Sequence, residues 1–200
     1  PHSGMGGRIV IDGGTYLLCA NGDRCVLVGS FTGEDEIMIH NCGLEAEVSV
    51  SEGVGAGSVQ GRTKIHVQKS YTKFLINGNY IVGFGSLQGL SAQVEIEDSL
   101  VEYNIRSDDS TSLGALRGQT KLKAKIATIR IDSAGERALA LGGIGDDTTA
   151  ECEGVDLKVM LYNATDKDTN APDEAVTMVN GRCRIFVNDR QIERKLVYRY

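Results

Sequence analysis

Four pairs of carboxylates are spaced as if for chemistry: Glu95/Glu97, Asp108/Asp109, Asp146/Asp147 and Glu151/Glu153. Two carboxyl groups held roughly 5–10 Å apart can act as acid and base on a glycosidic bond. Adjacent Asp residues also suit Ca²⁺, but a pair supplies too few of its roughly 6–8 oxygen ligands. His40 and His66 could share a metal ion, and no third ligand is evident. Cys19, Cys25, Cys42, Cys152 and Cys183 show no CxxC and no Cys/His zinc spacing. The Gly-x-Gly runs at Gly55/Gly57 and Gly83/Gly85 are not followed by the helix that a phosphate cradle needs. No metal, cofactor or catalytic residue is expected from these groups.

The elements that would position these residues come from a repeat. Rows of 28 residues begin at Arg8, Glu36, Lys64, Gln93 and Lys121, the third being one residue longer, and a sixth begins at Thr149. Position 22 is Gly in every complete row: Gly29, Gly57, Gly85, Gly114 and Gly142. Position 24 is always large and apolar: Phe31, Val59, Leu87, Leu116 and Ile144. Positions 2 and 4, 9 and 11, and 19 and 21 alternate as apolar pairs, exemplified by Ile37/Ile39, Leu44/Ala46 and Val54/Ala56. Short period-two stretches predict half-buried strands, and no segment carries a helical stripe. Three strands and a fixed glycine corner per row describe one coil of a parallel β-solenoid, which buries its core only by stacking.

Stacking in register makes equal positions neighbours. Positions 3 and 5 read His66/Gln68, Glu95/Glu97, Lys123/Lys125 and Glu151/Glu153, so charge alternates from coil to coil. Opposite charges across neighbouring strands are mildly stabilising and like charges are not. The carboxylate pairs at 95/97 and 151/153 are therefore read as ladder partners of the lysines. Asp146/Asp147 and Asp108/Asp109 read as turn chemistry.

One strip carries no charge. Positions 18 and 20 are expected to point outward and read Cys25/Leu27, Gly53/Gly55, Ile81/Gly83, Ser110/Ser112 and Ala138/Ala140. A flat uncharged face expects cover, either from the chain's own end or from a partner protein or second copy.

Composition bounds the remainder. Gly is 25 and Pro 2 of 200 residues, which suits regular strands joined by tight corners. No apolar run approaches the ~18 residues of a membrane span. The net charge of −6 argues against nucleic acid and anionic membranes as partners. Residues 182–200 are locally basic and read as a solvated face against the acidic body. Five thiols without a framework favour a reducing, cytoplasmic setting, with the cell surface as the alternative. Pro1-His2-Ser3-Gly4-Met5 reads as a cloning remnant, which sets 1–7 apart from the solenoid at 8–162. The first coil starts with almost no cap, so a preceding domain is expected in the natural chain. Residues 163–175 read as a loop. Residues 176–200 read as an antiparallel hairpin cap, with Asn180-Gly181 as its turn.

The segments VGFGSLQG (82–89) and GERALALGGIG (135–145) resemble the Gly-rich right-handed parallel β-helix repeats of bacterial multi-domain proteins. The resemblance covers residues 8–162 and implies an all-β fold of about six coils with a C-terminal antiparallel cap. For function it implies a non-catalytic interaction, sensory or regulatory module. A carbohydrate-binding surface module is the alternative, and a polysaccharide lyase or hydrolase is the third reading. The absence of Trp weakens the carbohydrate class.

Overall fold

The computed structural model describes residues 7–135, 137–142, 148–163, 179–187 and 190–191. Twelve strands are wound as an all-β parallel solenoid of about five turns, with no helix among the described residues. They are β1 (Arg8–Asp12), β2 (Thr15–His40), β3 (Gly43–Gln68), β4 (Tyr71–Ser86), β5 (Ser91–Glu97) and β6 (Leu100–Ala115), then β7 (Gln119–Lys125), β8 (Thr128–Gly135), β9 (Arg137–Leu141), β10 (Thr148–Asn163), β11 (Val179–Val187) and β12 (Arg190–Gln191). The register follows the sequence rows: Ile9, Ile37, Ile65, Val94, Leu122 and Ala150 stack in one ladder.

Each coil has three sides. The first carries residues 36–40, 64–68, 93–97 and 121–125, the second 43–48, 71–76 and 100–105, and the third 52–58, 80–86 and 109–115. Alternation on the first two sides sends Ile37, Ile39, Leu44, Ile65, Phe74 and Val94 into one continuous core. Its centre is aromatic. Phe84 meets Phe74 edge-on at 5.1 Å and Tyr103 at 5.6 Å, and Phe74 stacks on Tyr103 at 5.8 Å. Offset and edge-on rings of this kind contribute about 0.5–1.5 kcal/mol per pair beyond the area they bury.

Two left-handed corners recur from coil to coil, and a third stands at Gly33, Gly61 and Gly118. Between the first and second sides, Gly13, Asn41, Lys69, Asp98, Ile126 and Gly154 all have φ between 48° and 68°. Their N–H groups bridge coils, as in Asn41 N to Gln68 O and Asp98 N to Lys125 O, each 3.1 Å. The second corner is the position-22 glycine. Gly29, Gly57 and Gly85 have φ of 135–141°, and a Cβ on Gly57 would run into the carbonyl of Gly85. Only glycine fits that backbone.

Past this corner the chain folds back over the third side. Val59, Leu87 and Leu116 pack on Val54 and Val82 in a second, smaller core, with Val26 and Leu139 at its edge. Short polar contacts hold the fold-back: Ser30 Oγ donates to Asp35 Oδ2 at 2.6 Å, Ser58 and Thr63 share a hydrogen bond of 2.8 Å, and Ala115 N donates to Thr120 Oγ1 at 2.9 Å.

The fold-back corrects the uncharged strip. Ile81, Ala138 and Ala140 belong to the main core, and Cys25 and Leu27 pack against it. Gly53, Gly55, Gly83, Ser110 and Ser112 are buried as well. A Cβ on Gly55 would meet the Phe74 ring at 2.7 Å, and one on Gly83 would run into the Tyr103 ring. Eight of the ten positions are therefore buried inside the coil, Cys25 and Leu27 of the first coil are partly buried, and position 19 faces the smaller core. The pairing skips Leu27, Gly55, Gly83 and Ser112 in successive coils, which returns Val28, Ala56, Phe84 and Leu113 to the main core. A one-residue change of phase turns every side chain to the other face.

The end of the chain also departs from expectation. Val179–Val187 stacks in parallel on β10, with Asn180 opposite Glu151 and Gly181 opposite Cys152. Asn180-Gly181 thus lies within a strand, not in a hairpin turn. Among the described residues, antiparallel pairing is confined to Phe186 with Gln191 and Val187 with Arg190. The segment expected as a loop, 163–175, lies outside the described residues after Asn163.

Candidate functional site: a charge-laddered groove

The outward residues of the first side line an open groove of about 940 Å³. Alternation sets them there. Their neighbours at positions 2 and 4 fill the core, so positions 3 and 5 face out: Met38/His40, His66/Gln68, Glu95/Glu97, Lys123/Lys125 and Glu151/Glu153. No aromatic side chain is among the described residues lining it.

The ladder that charge alternation predicts closes in part, with Lys123–Glu151 as its one Lys–Glu contact among the described residues. His66 Nδ1 lies 3.0 Å from Glu95 Oε2, and Gln68 Nε2 donates to Glu97 Oε2 at 3.0 Å. Gln93 Nε2 donates to Glu95 Oε1 at 2.8 Å, and Lys123 Nζ lies 3.9 Å from Glu151 Oε2. Lys125 stacks in register between Glu97 and Glu153. These groups are half-exposed, so each pair contributes little to stability, on the order of 0–1 kcal/mol. What the ladder does is hold the side chains in fixed rows, about 4.8 Å apart from coil to coil.

A second ladder runs on the neighbouring side. Arg130 Nη1 pairs with Glu102 Oε1 at 2.7 Å, and Tyr71 donates its hydroxyl to Glu102 Oε2 at 3.0 Å. Burial first, and the Glu102 carboxylate second, push the Tyr71 phenol up to about 12. A smaller cleft of about 430 Å³ lies there, between Lys73, Glu102, Arg130, Asp132 and Lys158. The alternation Glu45, Lys73, Glu102, Arg130 at position 10 signals this ladder in the sequence.

The other expected groups are dispersed. His40 and His66 both line the groove on adjacent coils, and His66 is engaged by Glu95. Asp108 is exposed while its neighbour Asp109 is buried. Asp146/Asp147 lie outside the described residues. Cys19, Cys25 and Cys42 carry free thiols, burial pushes those of Cys25 and Cys42 up, and Cys152 is buried. No group of three or more His, Cys, Asp or Glu could hold a metal ion among the described residues.

The structure also holds a feature that the strand pattern does not signal. In the fourth coil the hydroxyls of Ser110, Thr111 and Ser112, with those of Tyr103, Ser107 and Ser133, are buried without hydrogen-bond partners. Burial pushes the Tyr103 phenol well up.

No protein-family model, curated protein or solved structure matches the chain.

Proposed function

We propose that this chain is a non-catalytic interaction module, a rigid solenoid that offers the groove of its first side to a protein partner. One observation carries the reading: on an open face, carboxylate and ammonium pairs alternate in register from Glu95/Glu97 through Lys123/Lys125 to Glu151/Glu153, with His66 and Gln68 bonded to the first pair and Lys123 3.9 Å from Glu151. An array of this kind suits polar recognition of a complementary surface. Electrostatic complementarity of this type chiefly sets specificity and on-rate. An aromatic-free lining gives sugar rings no stacking platform, which favours protein over glycan.

The test compares wild type with a Lys123→Glu/Lys125→Glu variant whose thermal melt is unchanged. The expected result is a protein retained from cell extract by wild type and lost by the variant, with no retardation of either in polysaccharide-containing gels. Retention that the variant preserves, or retardation of wild type in any such gel, would contradict the proposal.

A further inference from the structure

The first coil is the open end of the stack. Among the described residues β1 pairs only with β2 and terminates the sheet. The partly buried residues that fringe the main core, Ile9, Ile11, Leu18, Ala20, Cys25 and Leu27, all belong to this coil. Beside them Leu17 is 70% and Val10 54% exposed. Unpaired strand edges over an uncovered core are templates for another strand.

The sequence of β1 specifies which strand. RIVID places Arg8, Val10 and Asp12 outward and Ile9 and Ile11 on the core side. Read in the antiparallel sense, the same five residues complement themselves. Centred on Val10, Arg8 faces Asp12 of a second copy, Val10 faces Val10, and Ile9 faces Ile11. Directly opposed residues of an antiparallel pair share a face and interact. Both end residues are exposed: the Arg8 guanidinium lies 3.5 Å from Glu36 and donates to Met38 Sδ at 2.9 Å in its own chain, and Asp12 accepts from Asn41 Nδ2 at 3.2 Å.

We infer that two copies of this chain associate head to head through their first coils, with β1 pairing antiparallel to β1 about a two-fold axis at Val10. The same axis reverses the order of the three sides. It lays the second side of one copy, with Leu18 and Ala20, on the third side of the other, with Cys25 and Leu27. An isologous contact of this kind closes at two copies. It leaves both first-side grooves open and is independent of the partner proposed for them.

Sedimentation of the full chain tests this by charge exchange. Wild type is expected to dimerise. Arg8→Asp and Asp12→Arg each set like charges opposite one another twice, so each alone should weaken the dimer about tenfold or more. A one-to-one mixture of the two variants restores both opposite-charge pairs and is expected to form heterodimers. The double variant Arg8→Asp/Asp12→Arg is expected to dimerise like wild type. Val10→Asp, which sets two carboxylates across the axis, is expected to dissociate it. A monomeric wild type, open-ended growth with concentration, or two single variants that fail to recombine would each overturn the inference.

Discussion

The first and third sides of the solenoid have the same period-two alternation and opposite fates. On the first side, positions 3 and 5 stay open and carry Glu95, Glu97, Lys123 and Lys125. On the third, both faces are buried. One lies against the aromatic centre, the other under Val59, Leu87 and Leu116. Alternation alone says that a strand has two faces. What covers each face is decided by the chain that follows, here by a glycine corner that lets the backbone fold back. A strand buried on both faces reads as uncharged at every position, which is how positions 18–21 read from Gly53 to Ala56 and from Ser110 to Leu113.

The contrast can be broken most severely at that corner. Gly57→Ala puts a Cβ into the Gly85 carbonyl at φ 135° and is expected to cost at least about 3 kcal/mol, seen as loss of the folded fraction in denaturant titration. Truncating the ring that the third side contributes comes next. Phe84→Ala, buried between Phe74 and Tyr103, is expected to lower stability by about 3–5 kcal/mol in the same titration. By comparison, Lys123→Ala on the first side should change it by no more than about 1 kcal/mol.

Alkali sharpens the contrast by a different route. Tyr71 and Tyr103 both ionise later in the folded chain than in the unfolded one. The stability linked to them is therefore complete below the ordinary phenol range near pH 10 and falls as pH rises toward 12. A thermal melt series should show the midpoint dropping over that window. Tyr71→Phe is expected to flatten the drop.

The smallest effect belongs to the other corner. Ile126 is β-branched at φ 49°, in the corner that Asn41 occupies three coils earlier at φ 51°. Ile126→Asn should stabilise the fold by up to about 1 kcal/mol, measured as a raised unfolding midpoint.

Much of this was legible from residue types. The position-22 glycines are readable because only glycine fits that corner, and the 28-residue register and the charge ladder of the first side because residue types recur there at a fixed spacing. The corner at Asn41, Lys69, Asp98 and Ile126 is not, because the inter-coil hydrogen bonds impose the left-handed backbone on four unlike residues. The phase of the third side misleads because Leu27, Gly55, Gly83 and Ser112 drop out of the ladder, a backbone event with no residue signature. Asn180-Gly181 misleads because continued stacking on β10 outweighs a local turn preference. The groove was in view as a ladder, and its openness is a property of the stack rather than of any one residue.

The most direct test of which faces are open is thiol labelling of the folded chain at two substituted positions, Glu95→Cys and Ser112→Cys, read by peptide mass mapping. The doubly covered third side predicts rapid modification at 95 and protection at 112 until the chain is unfolded. Equal modification at both positions in the folded state would contradict it.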